Sequence, residues 1–397
     1  MNDSPPIGVG IDFGTSNSCS GVYINGSVKL VPNKIGERIT PSVVLFKKLS
    51  NIQINNNDKD EILVGEEALC ESFDNLKNYI YEIKRFIGLD YNEFDEMGFN
   101  KTLNYDIENV NRTPKIKIVC NNIEKHFTVE QISYLIIKKI IANTEAFISE
   151  LTKKPGTKIK TAVFTVPSQF TDHQKQSILD AAKAAGIEIP RIIIEPTAAA
   201  LAYGIGHDLI KCEKDMFNST MEGDDYNVAP LANGFIKSKE KIMTFDLGGG
   251  TFDLTILNIT KTDDDTLSFK TELTDGDIHL GGSDFDKMLM EYCINYFCEE
   301  NELNKEQRDE ITNNLLICRR LKTKCESAKK LLSVKYEAII QFDNFYNDTD
   351  LTIKIKLEEF NDICASLFQR IKDIILKVLK EAKIKEDDID KVILIGG

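Results

Sequence analysis

Two short segments put an aspartate at the end of an apolar strand and follow it with a glycine turn. They are Asp12-Phe13-Gly14-Thr15-Ser16 and Asp246-Leu247-Gly248-Gly249-Gly250-Thr251. A glycine turn lets consecutive backbone N–H groups approach phosphate oxygens without side-chain obstruction. A carboxylate at the strand end suits Mg²⁺, which usually keeps several of its waters. Two such turns facing each other would grip a polyphosphate from both sides. A single Asp-x-Gly reads as a plain hairpin turn. Its recurrence at matched strand positions, with the second copy running on to Phe252-Asp253, favours a phosphate site. Other nucleotide devices are excluded by their own motifs. No GxxxxGK[ST] occurs. Gly8-Val9-Gly10 with Gly14 has the wrong spacing for a dinucleotide fingerprint and lies in a strand run instead of opening a helix.

The elements that carry these turns repeat. Ile7 to Phe13, Ser20 to Ile24 and Val28 to Val31 read as a β-meander, with Asn25-Gly26 as its hairpin turn. Lys241 to Phe245, Phe252 to Ile259 and a strand through Phe269 to Leu273 repeat the pattern, which suggests an internal duplication and two lobes of related architecture. Between the copies, Ile132, Leu135, Ile136, Ile140, Ile141 and Phe147 give Val129 to Leu151 a helical period. Thr161 to Val166 and Arg191 to Ile194 read as short buried strands, the first ended by Pro167. Thr171-Asp172 caps a helix that Gly186 stops, and Pro196 opens another. Glu302 to Leu332 reads as one long charged helix and Glu358 to Ala382 as an amphipathic one, before a strand at Val392 to Ile395. His207 to Glu240 and Ser50 to Asp60 are polar and read as solvated insertions.

Composition removes several function classes. Lys and Arg number 49 against 63 Asp and Glu, a net charge of −14, which opposes binding to nucleic-acid phosphates or to an anionic membrane surface. No run approaches the length of a membrane span, and the start of the chain lacks a secretory pattern. The nine cysteines are scattered without a CxxC, and the four histidines stand beside no cysteine pair. That spacing offers no structural zinc site and reads as thiols in a reducing cytoplasm.

Four runs occur in a telling order: Ile11-Asp12-Phe13-Gly14-Thr15, Val163-Phe164-Thr165-Val166-Pro167, Ile194-Glu195-Pro196-Thr197-Ala198-Ala199-Ala200-Leu201-Ala202-Tyr203-Gly204 and Phe245-Asp246-Leu247-Gly248-Gly249-Gly250-Thr251-Phe252-Asp253. Together with Lys84-Arg85-Phe86-Ile87-Gly88, His279-Leu280-Gly281-Gly282 and Val392-Ile393-Leu394-Ile395-Gly396-Gly397, they strongly resemble the ATPase domain of the seventy-kilodalton heat-shock (DnaK-type) chaperones, over essentially the whole chain apart from the insertion. The resemblance implies an α/β, actin-like ATPase fold of two lobes. Each lobe would have a ribonuclease H-like mixed sheet as its core and a peripheral subdomain. Lobe I would be 1–206, with core 1–40 and 129–206 and periphery 41–128. The insertion would be 207–240. Lobe II would be 241–397, with core 241–280 and 358–397 and periphery 281–357.

The same resemblance implies roles. Gly14, Thr15 and Ser16 would line the first phosphate turn and Gly248, Gly249, Gly250 and Thr251 the second. Asp12, Glu195, Asp246 and Asp253 would surround hydrated Mg²⁺ and K⁺. Lys84 would reach the γ-phosphate of ATP and position the attacking water, a task of positioning and charge stabilisation. Gly282, Glu326, Lys329, Lys330, Ser333, Gly396 and Gly397 would hold the adenosine of ATP or ADP. Pro167 and Arg191 match positions that relay nucleotide state. Taken residue by residue, Lys84 reads equally as a solvated lysine, Glu195 as a helix-start carboxylate and Asp253 as a strand-end surface residue. Glu326 with Lys330 has the spacing of an ordinary surface pair.

Departures from the family pattern are Ser16 for Thr, Asn17 for an aromatic, Ile194 for Asn, Ser283 for Glu and Lys330 for Arg, the last weakening planar stacking on adenine. The family continues past Gly397 with the rest of the adenosine pocket, a peptide-binding β-sandwich and a lid. The reading therefore expects weak discrimination between ATP and GTP here and no peptide capture. It further expects a cytoplasmic monomeric Mg-dependent ATPase working with a J-domain co-chaperone and a nucleotide exchange factor. Unfolded clients would be reached only through the domain beyond Gly397. Two alternatives stay open: a ribosome-associated or regulatory relative with structural nucleotide and negligible turnover, and a sugar or glycerol kinase, which the EPTAAALAYG run disfavours.

Overall fold

The computed structural model describes residues 8–50, 60–71, 76–98, 103–202, 239–261 and 267–396. Gly8–Asp12, Asn17–Ile24 and Ser27–Leu30 form the expected antiparallel meander. Its hairpin closes on Asn25 and Gly26, both at positive φ (53° and 81°), the conformation that a two-residue turn requires. Thr161–Val166 adds in parallel beside Gly8–Asp12, and Ile189–Ile194 in parallel beside that. The second copy of the meander is Lys239–Leu247, Phe252–Lys261 and Leu267–Asp277, with Lys391–Gly396 parallel to its first strand. In both copies the aspartate-bearing strand is therefore central, hydrogen-bonded to its hairpin partner on one side and to a late-arriving parallel strand on the other.

Alternation along these strands buries one face. Val9, Ile11 and Phe13 pack with Phe164, Ile132 and Ile136, and Leu254 and Ile256 pack with Leu289, Leu321 and Ile340, in two separate hydrophobic clusters. A fully buried side chain of this size contributes about 1.5–3 kcal/mol. The helix predicted from period at Val129 to Leu151 is Val129–Thr152. Thr128 and Gln131 close its start as a capping box. Asp172–Ala184 begins at Thr171 as expected, and Gly186 follows it at φ 105°.

Two helical expectations need correction. Glu302 to Leu332 is not one helix. The chain forms Lys305–Asn313 and Leu315–Leu332, separated at Asn314, whose extended backbone ends the first. The Asn314 side chain then accepts from Leu316 N and Ile317 N to cap the second, the local bonding that makes asparagine a helix starter. Glu302 lies outside both, with φ 52°. Glu358 to Ala382 likewise splits into Leu357–Ile363 and Ala365–Ala382, because Cys364 leaves helical geometry between them.

Several strands escaped the sequence reading. Asp106–Val110, Thr113–Cys120 and Ile123–Thr128 make a further meander, and Glu337–Tyr346 pairs with Thr349–Lys356. Their turns use Asn111-Arg112, Asn121-Asn122 and Asn347-Asp348 at positive φ, without the glycine that marks a hairpin. The insertion expected at His207 to Glu240 lies outside the described residues up to 238. Glu240 itself is buried in the strand Lys239–Leu247 and pairs with Lys391. Of Ser50 to Asp60, only the ends are described. Asp60 accepts from Ser50 N and Oγ and pairs with Lys125.

Candidate functional site

Asp12 ends its strand, and its carboxylate accepts from Thr165 Oγ1 at 2.7 Å on the adjacent parallel strand. Thr165 was not singled out from sequence. Only the register Asp12↔Thr165 brings it there. After Asp12 the first turn is braced from outside: Ser18 Oγ accepts from Gly14 N at 3.2 Å, Ser42 Oγ donates to Gly14 O at 2.8 Å, and Ser42 N donates to Ser16 O at 2.8 Å. The second turn closes on itself through Gly248 N to Thr251 O at 3.0 Å. The helix Gly282–Glu300 braces it, with Gly282 N donating to Gly248 O (2.9 Å) and Ser283 N to Gly249 O (2.8 Å).

The two turns meet. A Cβ placed on Gly249 would stand 2.1 Å from Ser16 Oγ, so only glycine permits this approach. Arg85 packs on the same turn: a Cβ on Gly250 would fall 2.6 Å from its Nε. Gly396, at the end of the strand beside Leu247, has φ 104° and lies against Leu247 O and Gly248 N. Gly397 lies outside the described residues.

Close to the turns, Lys84 and Glu195 form an ion pair with Nζ 2.7 Å from Oε1. Lys84 belongs to a short 3₁₀ segment, Ile83–Phe86, and is 6% exposed, so its solvated alternative falls. Glu195 opens the helical residues 195–202, directly after the strand Ile189–Ile194. Burial opposes the charge on Lys84, but Glu195, Asp12 and Asp246 outweigh it and hold the ammonium above its ordinary range. Asp253 is buried and directly opposite Asp246 in the hairpin register, so its surface alternative also falls. Burial, Glu195, Asp253 and Asp12 push Asp246 up to about 7, with Lys84 the opposing cation. Burial and Glu195 push Asp253 up to about 7 as well. Four carboxylates thus share one lysine, a pocket short of positive charge.

Among the described residues, no three Asp, Glu, His or Cys side chains stand close enough to ligate one ion directly. The donors here are all carboxylate oxygens, the hard ligands Mg²⁺ prefers, and the charge deficit favours a cation. Such a set fits an ion that keeps its own waters.

The remaining candidates lie on Leu315–Leu332 and its end. Lys329 donates to Gly282 O at 2.8 Å, which ties this helix to the second turn. Lys330 pairs instead with Glu326 on its own helix at 2.7 Å, both well exposed. Ser333 is the residue that ends the helix. The helix also reaches the segment around Lys84. Lys322 Nζ is 3.5 Å from Glu82, and the Arg319 guanidinium lies 4.3 Å from the Tyr79 ring centre. Pro167 directly follows the strand Thr161–Val166, and Arg191 lies exposed within Ile189–Ile194.

Two glycine turns thus meet beside a cluster of four carboxylates and one lysine, of which Lys84 and Asp253 are buried. The chain matches the Hsp70 protein family over residues 8–397 and belongs to that family. It is 33% identical over 389 residues to a ribosome-associated molecular chaperone of Zygosaccharomyces rouxii, a match covering 98% of this chain and 54% of that protein. It is 31% identical over 389 residues to the heat shock 70 kDa protein 2 of Paracoccidioides lutzii, covering 98% of this chain and 51% of that one. The chain spans about half the length of these relatives. Among the described residues, no helix is long and apolar enough to cross a membrane.

Proposed function

We propose that this chain binds ATP between Gly14–Ser16 and Gly248–Thr251 and hydrolyses it to ADP and phosphate, as the nucleotide-driven part of a heat-shock-type chaperone. The observation that carries the reading is the approach of Gly249 to Ser16 beside Lys84, Glu195, Asp12, Asp246 and Asp253. The fold reading is the two-lobed actin-like one, with lobes 1–206 and 241–397 and the peripheral subdomains 41–128 and 281–357. The two separate hydrophobic clusters, each built on a meander with an added parallel strand, support it.

In this reading the turns present backbone N–H groups to the β- and γ-phosphates. Lys84, fixed by Glu195, holds the γ-phosphoryl group and the attacking water in line. Being buried, it acts at full charge in a site from which bulk water is reduced. Asp12, Glu195, Asp246 and Asp253 would hold Mg²⁺ and K⁺ through water. Mg²⁺, when bound, neutralises charge on the phosphate oxygens. Gly282, Glu326, Lys329, Lys330, Ser333, Gly396 and Gly397 would hold adenosine. A J-domain protein would stimulate hydrolysis and an exchange factor would release ADP. Clients would be engaged through chain of the kind that makes up the other half of the relatives. The setting is a cytoplasmic monomer without nucleic-acid or membrane partners.

The test is single-turnover hydrolysis of bound ATP, with and without a J-domain protein. Hydrolysis that rises on adding the J-domain protein supports the reading. Stable binding with no turnover in either condition selects the regulatory alternative, and no ATP binding defeats both.

A further inference from the structure

Gly282 is shared between the two halves of the site. Its N–H donates to Gly248 O in the second turn (2.9 Å), while its carbonyl accepts from Lys329 Nζ (2.8 Å) on Leu315–Leu332. Asp286, one turn farther along the helix that Gly282 starts, is 3% exposed. Its Oδ1 lies 2.7 Å from the same Lys329 Nζ. An ammonium has three N–H donors. The hydrogen bond to Gly282 O and the ion pair with Asp286 fix its direction and leave it donor capacity for a ligand. Lys330, the next residue, has no such anchor: it pairs along its own helix with Glu326 and is 58% exposed. A carboxylate as buried as Asp286 is costly without its cation, so the pair holds Lys329 in one place.

We infer that Asp286 is the positioning residue for the adenosine half of the site: it holds Lys329 against Gly282 and so sets the distance between the phosphate turn and the helix that clasps the nucleoside. This rests on the nucleotide reading above. Asp286 touches no ligand itself and acts through Lys329.

Titration calorimetry with Mg·ADP and with Mg-tripolyphosphate, on the parental chain, Asp286→Asn, Lys329→Met and the double variant, tests it. Removing a charged partner of a hydrogen-bonding cation should cost Mg·ADP binding about tenfold in either single variant, while tripolyphosphate binding stays within about twofold. The double variant should bind Mg·ADP no more weakly than Lys329→Met alone. A purely structural role would weaken both ligands together, and that result overturns the proposal. Losses that multiply in the double variant overturn it too, since they make the two residues independent. Should Asp286→Asn fail to fold, the double variant carries the test, because neither charge is left unpaired in it. There, equality with Lys329→Met supports the proposal and a further loss overturns it. A parental chain that binds tripolyphosphate and not Mg·ADP overturns it while leaving the phosphate turns intact. Binding of neither ligand removes the nucleotide reading itself.

Discussion

Lys84 and Glu195 are separated by 111 positions in the chain and by 2.7 Å in the structure. One comes from a 3₁₀ turn and the other from the first residue of a helix that follows a strand. Lys84 is buried and Glu195 half-buried, and neither position has a local reason to combine that with a charge. Their pairing makes both tolerable, and it places a fixed ammonium among Asp12, Asp246 and Asp253.

Lys84→Ala should reduce single-turnover ATP hydrolysis on the order of a hundredfold or more, as expected for loss of one preorganised stabilising group, with nucleotide affinity nearly unchanged. Quench-flow on preformed enzyme–ATP complex measures it. Hydrolysis at the parental rate would remove Lys84 from the reaction.

Gly249→Ala should force the turns apart, since its new methyl would lie 2.1 Å from Ser16 Oγ. ATP affinity should fall about tenfold or more, and Ser16→Gly in the same chain should restore part of it by removing the clashing atoms. Equal affinity in Gly249→Ala and the parental chain would mean that the turns do not hold their ligand in this juxtaposition.

Asp246→Asn and Asp12→Asn should each weaken Mg·ATP binding while leaving adenosine binding little changed, because a carboxylate that works through a hydrated ion has nothing to offer the nucleoside. In EDTA the variants and the parental chain should converge. A difference that persists without Mg²⁺, seen equally for adenosine, would mark a folding defect instead.

Glu82 gives a pH dependence of known sign. It is buried, with φ 57°, its Oε2 3.1 Å from Arg85 Nε and its Oε1 3.5 Å from Lys322. Burial pushes its carboxyl up, but Lys322, Arg85 and Lys287 outweigh burial and hold it below the usual range. A carboxyl depressed in the folded state contributes stability above its unfolded value of about 4.3, and that stability is lost as pH falls through the folded value. Melting followed from about pH 7 to about pH 3 should fall off below about pH 4.3, less steeply in Glu82→Gln. At neutral pH the variant should be weaker by about 3 kcal/mol, with two cations left facing a neutral group. Parallel melting curves at every pH would discount Glu82 as their source.

The sequence by itself determined the parts whose signals are local. Alternation and Asn25-Gly26 mark the first meander, and the aspartate–glycine turns are legible because phosphate cradling needs those residue types in that order. Capping at Thr171 and the period of Val129–Thr152 are equally local. What only the tertiary structure decided depends on who faces whom. Thr165 reaches Asp12 through strand register, Ser16 meets Gly249 across two distant turns, and Asp286 anchors Lys329 from another helix. The same limit explains the helix errors. Asn314 and Cys364 interrupt amphipathic patterns that run on past them, because periodicity records which face is buried and not whether the backbone stays continuous. Charge obeys the same division: a lysine is buried only where a partner offsets its desolvation, and only the fold, by surrounding Lys84 with carboxylates, makes it a fixed cation.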